Sequence, residues 1–185
     1  MVKKWQILHS ERLGNYRVFT VRQDTCRSPR SGQEHTFFVI EGTEWTNIIP
    51  ITEDGHVVMI EQFRHGVQAV TLEVPGGMID ADDASPVAAA RRELLEETGY
   101  EAEELIPLGV AAPNPAIQNN RCHTFLARPA RQVRRQDLDS AEDIHIRLVP
   151  LADIPGLIAD GSISHALVIV AFHWYHLFEV GLIKR

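Results

Sequence analysis

Apolar and polar positions alternate along the first half of the chain. Several runs show the period-two pattern, or the β-branched and aromatic composition, that is typical of strands. They are YRVFTVRQDTC (16–26), HTFFVIEG (35–42), WTNIIPI (45–51), HVVMIEQF (56–63) and AVTLEVP (69–75). Residues 53–55 (EDG) supply a hairpin turn between the third and fourth runs. The pattern predicts a β-rich first half, in which residues 1–42 form a small separate sheet.

The pattern changes after Pro75, where a glycine loop replaces the strands. Ser85 and Pro86 are the residue types of a helix N-cap and a first helical residue, and Gly99 is typical of a helix C-terminus. Strands are predicted again near ELIPLGVA (104–111), RCHTFLAR (121–128) and DIHIRLVPL (143–151). Because strands and helices do not alternate strictly, we expect an α/β protein of the α+β type.

The last third of the chain is predicted to contain a charged loop and two helices. Residues 128–143 are basic first and acidic later, and we interpret their arginines as solvated surface. Asp153 is predicted to cap a short helix that ends at Asp160, and Ser164 to cap a longer helix. The apolar stretch 163–178 is short for a membrane span and contains histidines, which favours a buried helix.

Length and composition narrow the class of protein. With 185 residues, 44% of them apolar, the chain has the size of one domain with a small appended element. The net charge of −7 argues against nucleic-acid or anionic-membrane partners and is compatible with a metal site. Cys26 and Cys122 predict two free thiols in a reducing cytoplasm, with a single disulfide as the alternative. The absence of an apolar signal segment in residues 1–14 also favours a cytoplasmic protein.

Three glutamates crowd the last turns of the predicted central helix. At about 100° per residue, Glu97 lies about 40° to one side of Glu93 and Glu96 about 60° to the other, so the carboxylates share one narrow arc. Like charges four residues apart destabilise a helix by roughly 0.2–0.5 kcal/mol, and the helix dipole adds a similar penalty. A solvated acidic face is the simpler interpretation. A bound hard cation also explains the neighbouring Arg91 and Arg92 and the glycine loop.

The segment GMIDADDASPVAAARRELLEETGY (77–100) resembles the Nudix box, Gly-x5-Glu-x7-Arg-Glu-U-x-Glu-Glu-x-Gly-U, in which U is a bulky apolar residue. The second half matches residue by residue, at Arg92, Glu93, Leu94, Glu96, Glu97, Gly99 and Tyr100. In the first half Asp83 takes the position of the first Glu, and one extra residue separates it from Arg92. This departure lies in the loop rather than among the expected metal ligands.

The resemblance implies a Nudix fold over residues 43–185, with a mixed β-sheet sandwiched between helices. It implies hydrolysis of a nucleoside diphosphate linked to another moiety, with Mg²⁺ or Mn²⁺ as cofactor. The implied metal ligands are the carbonyl of Gly76 and the carboxylates of Glu93, Glu96, Glu97 and Glu142. The implied catalytic residues are Glu142, Glu96 and Arg92, of which Arg92 would hold a ligand carboxylate in place.

The sequences that flank the box resemble the ADP-ribose pyrophosphatase group of this family. EQFR followed by LEVPGG implies that Arg64 contacts the pyrophosphate, and that Glu73 either lines the pocket or forms a buried structural pair. Pro115, fifteen residues past Tyr100, matches a proline of that group, and Pro113 in the same APNPA segment is the alternative. Glu142 matches an acid that binds metal or activates water, although Ser140 stands where the group often has a second acid.

Other residues leave the substrate open. Asn114 and the polar residues 118–120 form a loop that would contact a different leaving moiety. Trp5 or Trp45 would stack on a base, although packing is the more frequent role of Trp. ADP-ribose or a similar nucleotide sugar is the expected substrate. The alternatives are a dinucleotide or coenzyme pyrophosphate, or a non-catalytic nucleotide-binding regulator, against which the intact glutamates of the box argue.

A homodimer is also expected. Residues 1–42 are rich in strand formers but too few for a sheet that is stable alone, and the stretch 163–178 is apolar nearly all round. The ADP-ribose group commonly pairs through its N-terminal strands. We therefore expect a small-molecule nucleotide as ligand and a second copy of the chain as partner, with no nucleic acid and no membrane.

Overall fold

The computed structural model describes residues 1–183, which divide into two compact units. The first unit contains residues 1–44 together with residues 112–121. The second contains residues 45–111 and the described chain from residue 122 onward. The chain therefore leaves the second unit at residue 112 and returns to it at residue 122.

The first unit is an antiparallel three-stranded sheet. Its strands, in spatial as well as chain order, are β1 (Gln6–Asn15), β2 (Phe19–Arg27) and β3 (Glu34–Gly42). The Ile40 N–H donates to the carbonyl of Ile117 at 2.7 Å, which ties residues 112–121 to the edge of β3. A small sheet in this region agrees with the sequence pattern, while the division of the chain at residue 42 stays a prediction.

The second unit is a mixed β-sheet with helices. Its strands are β4 (Trp45–Thr52), β5 (His56–Arg64), β6 (Ala69–Glu73), β7 (Tyr100–Ala111), β8 (Cys122–Gln132) and β9 (Ile144–Pro150). Its helices are α1 (Pro86–Thr98), α2 (Ile154–Ala159) and α3 (Ala166–Glu179), with a 3₁₀ turn at Leu151–Asp153 before α2. The strand order is β6-β5-β4-β8-β7, and β9 pairs with β5 outside this linear order. The β4–β8 pair is parallel and the other pairs are antiparallel.

Alternation along the strands of the second unit divides its core into two layers. Ile48 and Val58 pack with Ala90 and Leu94 of α1 on one side of the sheet. The neighbouring strand residues Ile49, Val57 and Met59 pack with Val168, Ala171 and Phe172 of α3 on the other side. Because successive side chains of a strand point to opposite faces, β4 and β5 are buried on both. The predicted mixed sheet between helices is confirmed.

The local turn and cap signals of the sequence are confirmed. Gly55 ends the β4–β5 hairpin at a φ of 83°, and its N–H donates to the carbonyl of Thr52 at 3.0 Å. The Ser85 hydroxyl accepts from the N–H of Ala88, so Ser85 caps α1 as expected. Gly99 adopts the left-handed conformation that ends α1.

Three expectations for the later elements are wrong in detail. Residues 128–132 are not loop but the end of β8, because β7 continues back to Tyr100 and supplies a pairing partner. Ser164 does not cap α3: the N-cap is His165, whose Nδ1 accepts from the N–H of Leu167 at 3.2 Å. Asp153 precedes α2 as predicted, but its side chain makes no capping hydrogen bond.

The apolar stretch 163–178 forms α3, a helix of the core. Val168, Ala171 and Phe172 are buried against the sheet. Within residues 1–183, no helix is both long enough and apolar enough to cross a membrane. Cys26 and Cys122 are both buried and free, which agrees with the prediction of two thiols.

Candidate active site

The glycine loop between β6 and α1 lies directly on the helix glutamates. The N–H of Gly76 donates to a carboxylate oxygen of Glu97 at 2.8 Å. A Cβ added to Gly77 would lie 2.5 Å from an oxygen of Glu93, far inside van der Waals contact. Gly77 must be glycine because its backbone approaches the Glu93 carboxylate at a distance that no side chain allows. At Gly76 an added Cβ would instead lie 2.0 Å from the carbonyl oxygen of Thr46.

Arg92 organises the carboxylates around it. It donates to both oxygens of Asp83, at 3.2 and 2.8 Å, and to the carbonyl of Met78 at 3.0 Å. Its Nη1 donates to Glu93 at 2.9 Å and to Glu96 at 3.1 Å. Asp83 therefore reaches Arg92 in spite of the shorter side chain and the extra loop residue, and its hydrogen bond with Arg92 lowers the pKa of its carboxyl.

Burial dominates the electrostatics of the cluster. Desolvation raises the pKa of Glu93 to about 7, against the opposing attraction of Arg92. It raises the pKa of Glu97, which is 4% exposed, to about 8, although the Gly76 N–H stabilises the charged form. Repulsion from Glu142 contributes to both shifts. Burial therefore favours the protonated carboxyls, and a bound cation would neutralise the same charge.

These residues line one open cleft of about 530 Å³ in the second unit. Its acidic lining, in the part of the chain that the structure describes, comprises Asp80, Glu93, Glu96, Glu97, Asp137, Asp139 and Glu142. Its basic lining comprises Arg64 and Arg92, and the remaining lining residues are Gln62, Gly76, Gly77, Met78 and Leu138. The balance is strongly negative, which suits a cation-binding site better than a direct anion site.

Arg64 lies at the end of β5 and lines the cleft, and the carboxylate of Glu73 holds its guanidinium in place. Glu73 accepts two hydrogen bonds from its guanidinium, at 2.8 and 2.7 Å, and a third at 2.6 Å from the hydroxyl of Thr71. The Glu73 side chain is 4% exposed while that of Arg64 is 43% exposed. Glu73 is thus a buried structural partner and does not line the cleft. The paired geometry orients the free face of Arg64.

Glu142 enters the cleft from the segment before β9. Its carboxylate accepts from the N–H of Asp139 at 2.9 Å, and its own N–H donates to the Asp139 carbonyl at 3.0 Å. The carboxylate of Glu142, the predicted base, is therefore hydrogen-bonded within its own turn. It lines the same cleft as the carboxylates of the helix. Asp137 and Asp139 also line the cleft, so this acidic stretch is more than solvated surface.

The remaining predicted residues lie elsewhere. Trp45 begins β4, is half-buried, and pairs through its backbone with Met78 of the cleft rim. Asn114 and Pro115 belong to the first unit, where the carbonyl of Asn114 accepts from the N–H of Ile117 at 3.1 Å. Trp5 packs edge-on against His35 and Phe37 in that unit. A role in substrate binding stays a prediction for these residues.

The carboxylates of the cleft are suitable ligands for a divalent cation, and two of them also accept hydrogen bonds from the protein. Glu93 accepts a hydrogen bond from Arg92, and Glu97 accepts one from the Gly76 N–H. Within residues 1–183, no three acidic, histidine or cysteine side chains are already arranged around a metal position. Hard oxygen donors clustered in this way suit Mg²⁺ or Mn²⁺. The predicted ligands Gly76, Glu93, Glu96, Glu97 and Glu142 all line the same cleft.

Sequence reasoning missed some residues of the cleft. Asp80 lies 3.4 Å from Arg92, and Met78 accepts a hydrogen bond from the same guanidinium. Gln136 directly precedes the cleft residues 137–139, and its Nε2 donates to the carbonyl of Glu97 in the last turn of α1. No short-range signal marks Gln136, because its partners are distant in sequence. For Asp137, the sequence signal is the acidic composition of the second half of residues 128–143.

The fold and the cleft define a class of protein. Buried carboxylates at a glycine loop, opposed by arginine, are typical of enzymes that cleave phosphoanhydrides with a bound divalent cation. Residues 43–172 match the NUDIX domain family, and the chain belongs to it. The predicted family is therefore confirmed.

Individual relatives agree with this assignment. An ADP-ribose pyrophosphatase of Mycobacterium tuberculosis (strain ATCC 25618 / H37Rv) is 27% identical over 181 residues, which cover 96% of this chain and 86% of the relative. A GDP-mannose pyrophosphatase of Yersinia pestis (strain Pestoides F) is 31% identical over 140 residues, 70% of each chain. A solved structure described as an ADP compounds hydrolase superposes with a TM-score of 0.84 at 25% identity and covers 99% of both chains.

Proposed function

We propose that this chain hydrolyses the pyrophosphate bond of ADP-ribose or a similar nucleotide sugar, with a divalent cation bound in the cleft. The family and the relatives make the chain a Nudix pyrophosphohydrolase. The choice of ADP-ribose is supported by the name of the relative that matches nearly the whole chain. The GDP-mannose relative supports a second nucleotide sugar as the alternative substrate.

One observation carries the proposal: Glu93 and Glu97 are buried together beside a glycine loop, where their pKa values rise to about 7 and about 8. Burying two carboxyls that are difficult to ionise does not stabilise the fold, so a purely structural role does not explain them. A divalent cation would convert the same burial into coordination by oxygen ligands. When bound, Mg²⁺ or Mn²⁺ would polarise a phosphoryl oxygen and lower the pKa of a bound water.

The protein side chains would perform the remaining tasks. Arg64, pre-oriented by Glu73, would contact the pyrophosphate of the substrate through its exposed face. Arg92 would hold Glu93 and Glu96 in place. Glu142 would turn away from the Asp139 N–H to bind metal or to accept a proton from the attacking water.

A homodimer belongs to the same proposal. The three-stranded sheet of the first unit exposes large apolar side chains, among them Ile7 (55%), Leu13 (49%), Phe37 (44%) and Phe38 (54%). Several exposed large apolar side chains on one small sheet favour an interaction surface. A partner copy would cover it, and Trp5 or Trp45 would then stack on the nucleoside base. Cytoplasmic residence, supported by two buried free thiols, is part of the same prediction.

The decisive experiment for the activity is a panel of nucleoside diphosphate derivatives, assayed with Mg²⁺, with Mn²⁺ and with excess chelator. We expect ADP-ribose or a nucleotide sugar to give the highest kcat/KM, and a mononucleotide to appear as product on chromatography. Full turnover in excess chelator would contradict the metal hypothesis. Binding of nucleotide without turnover of any compound would favour the regulator alternative.

Light scattering tests the dimer separately. A mass of two chains at micromolar concentration is expected. A monomer mass at that concentration would contradict the proposed association. A chain lacking residues 1–42 is expected to lose both association and activity, and a truncated chain that stays folded and active would contradict the shared site.

A further inference from the structure

The last turn of α1 ends in carbonyls that its own helix does not satisfy, and the segment after β8 supplies their donors. The N–H of Asp137 donates to the Glu96 carbonyl at 2.9 Å. The N–H groups of Val133 and Arg134 donate to the carbonyl of Gly99 at 2.9 and 3.2 Å. Helix C-terminal carbonyls need such partners. The segment that follows β8 is therefore fastened to the helix that carries the glutamates.

The side chain of Gln136 joins this attachment to β9. Its Nε2 donates to the carbonyl of Glu97 at 2.5 Å and to the carbonyl of Ile144 at 3.1 Å. The two acceptors lie on α1 and at the first residue of β9. One half-buried amide thus closes the base of residues 137–143, which we call the acidic loop.

Electrostatic repulsion opposes the approach of the acidic loop to α1. The acidic loop presents Asp137, Asp139 and Glu142 to the cleft, opposite the carboxylates of Glu93 and Glu97. Glu93, Glu97 and Glu142 line the same cleft, so their ionised carboxylates repel one another. The hydrogen bonds inside the loop, between Asp139 and Glu142, do not resist its displacement from α1.

We infer that Gln136 is a positioning residue, which holds Glu142 against the carboxylate cluster by binding the carbonyls of Glu97 and Ile144. The inference rests on the proposed function, in which Glu142 serves the reaction. An amide suits the task because it donates two hydrogen bonds without adding charge.

Two variants test the inference. Gln136→Leu keeps the approximate volume but removes both donors, and Gln136→Glu keeps the shape but presents oxygens to the two carbonyls. The matched control is Arg135→Leu, one position away on an exposed residue. Gln136→Asn retains the amide on a shorter chain and is the variant expected to fold if the others do not.

The first measurement is hydrogen exchange of the metal-free protein by mass spectrometry. In the Gln136 variants we expect faster exchange in peptides that cover 137–143, including the Asp137 N–H that donates to Glu96. The control is expected to exchange like the wild type. Unchanged exchange in folded Gln136 variants would overturn the inference, whatever the activity.

The second measurement is kinetic. We expect kcat to fall about 10–100-fold in Gln136→Leu, as for other residues that orient metal ligands, with KM near the wild-type value. In a Glu142→Gln background the same substitution is expected to have little further effect. Additive losses would overturn the assignment to Glu142. A wild-type protein inactive on every substrate would instead refute the proposed function, and the exchange comparison would still decide whether Gln136 anchors the loop.

Discussion

Glu97→Gln should make the metal-free protein more stable while nearly abolishing its activity. Glu97 is 4% exposed, and its carboxylate accepts the Gly76 N–H at 2.8 Å, a bond that a glutamine oxygen can also accept. The substitution therefore removes a buried ionisable group and keeps its hydrogen bond. A buried glutamate at this position therefore serves function at the expense of stability.

The magnitude follows from the pKa of Glu97, which burial raises from 4.5 to about 8 in the folded chain. At about 1.4 kcal/mol per pKa unit, ionising this group in the fold costs up to ~5 kcal/mol relative to the unfolded chain. Glu93 and Glu97 repel each other when both are ionised. Removing the Glu97 carboxyl therefore lowers the pKa of Glu93. We expect a net gain of about 2 kcal/mol near pH 8.5, or about 4–8 °C in Tm.

The sign of the pH dependence is fixed by the direction of the shift. The folded-state pKa of Glu97 is raised, so the stability that its neutral form contributes is fully present below pH 4.5 and is lost as the pH rises through about 8. Glu97→Gln and wild type should therefore melt alike near pH 4. The gain from the substitution should grow from pH 5 to pH 8.5.

The assay is thermal melting in chelator over this pH range, repeated with Mn²⁺. Glu53→Gln, an exposed glutamate of the β4–β5 turn, is the matched control and should leave Tm unchanged. Mn²⁺ should stabilise the wild type, by about 2.7 kcal/mol at a hundred times Kd, and should do little for Glu97→Gln. A Tm in chelator at pH 8.5 that is equal to or below the wild-type value would refute the reasoning.

Three further substitutions test other parts of the site. Arg64→Lys should raise KM about tenfold with a small change in Tm, because a lysine keeps the charge but loses the paired geometry; an unchanged KM would contradict the contact with pyrophosphate. Asp83→Asn should lower Tm by a few degrees and weaken Mn²⁺ binding in calorimetry, because it removes the negative partner that fixes Arg92, and wild-type affinity would count against this role. Gly77→Ala should reduce kcat by about tenfold or more, since its Cβ would displace the carboxylate of Glu93; a fully active variant would show that the carboxylate can move without loss.

The capping residues and the helix period were sufficient to predict α1 and the positions of its glutamates. Ser85 and Gly99 fix the two ends of α1 through their own capping bonds, which involve residues three or four positions away. The glutamates then share one face because the helix period is fixed. The strand runs were also predictable, because alternation records which side chains face the core.

Long-range pairing decided what local patterns did not. Residues 128–132 look like loop, yet they form strand because β7 offers them a partner through Tyr100↔Gln132 and Glu101↔Arg131. Ser164 has the better capping propensity, but His165 stands at the place where α3 begins. Strand formation and cap choice here depend on contacts that no short window of sequence contains.

The same limit applies to the site. The sequence by itself determined that Glu93, Glu96 and Glu97 lie together, since one helix turn relates them. Only the tertiary structure decided that Asp83 still reaches Arg92 across an altered loop, that Glu73 fixes Arg64, and that Gln136 joins α1 to β9. The physical reason is that these hydrogen bonds join side chains to partners 8 to 39 positions away. Their geometry exists only after the chain has folded.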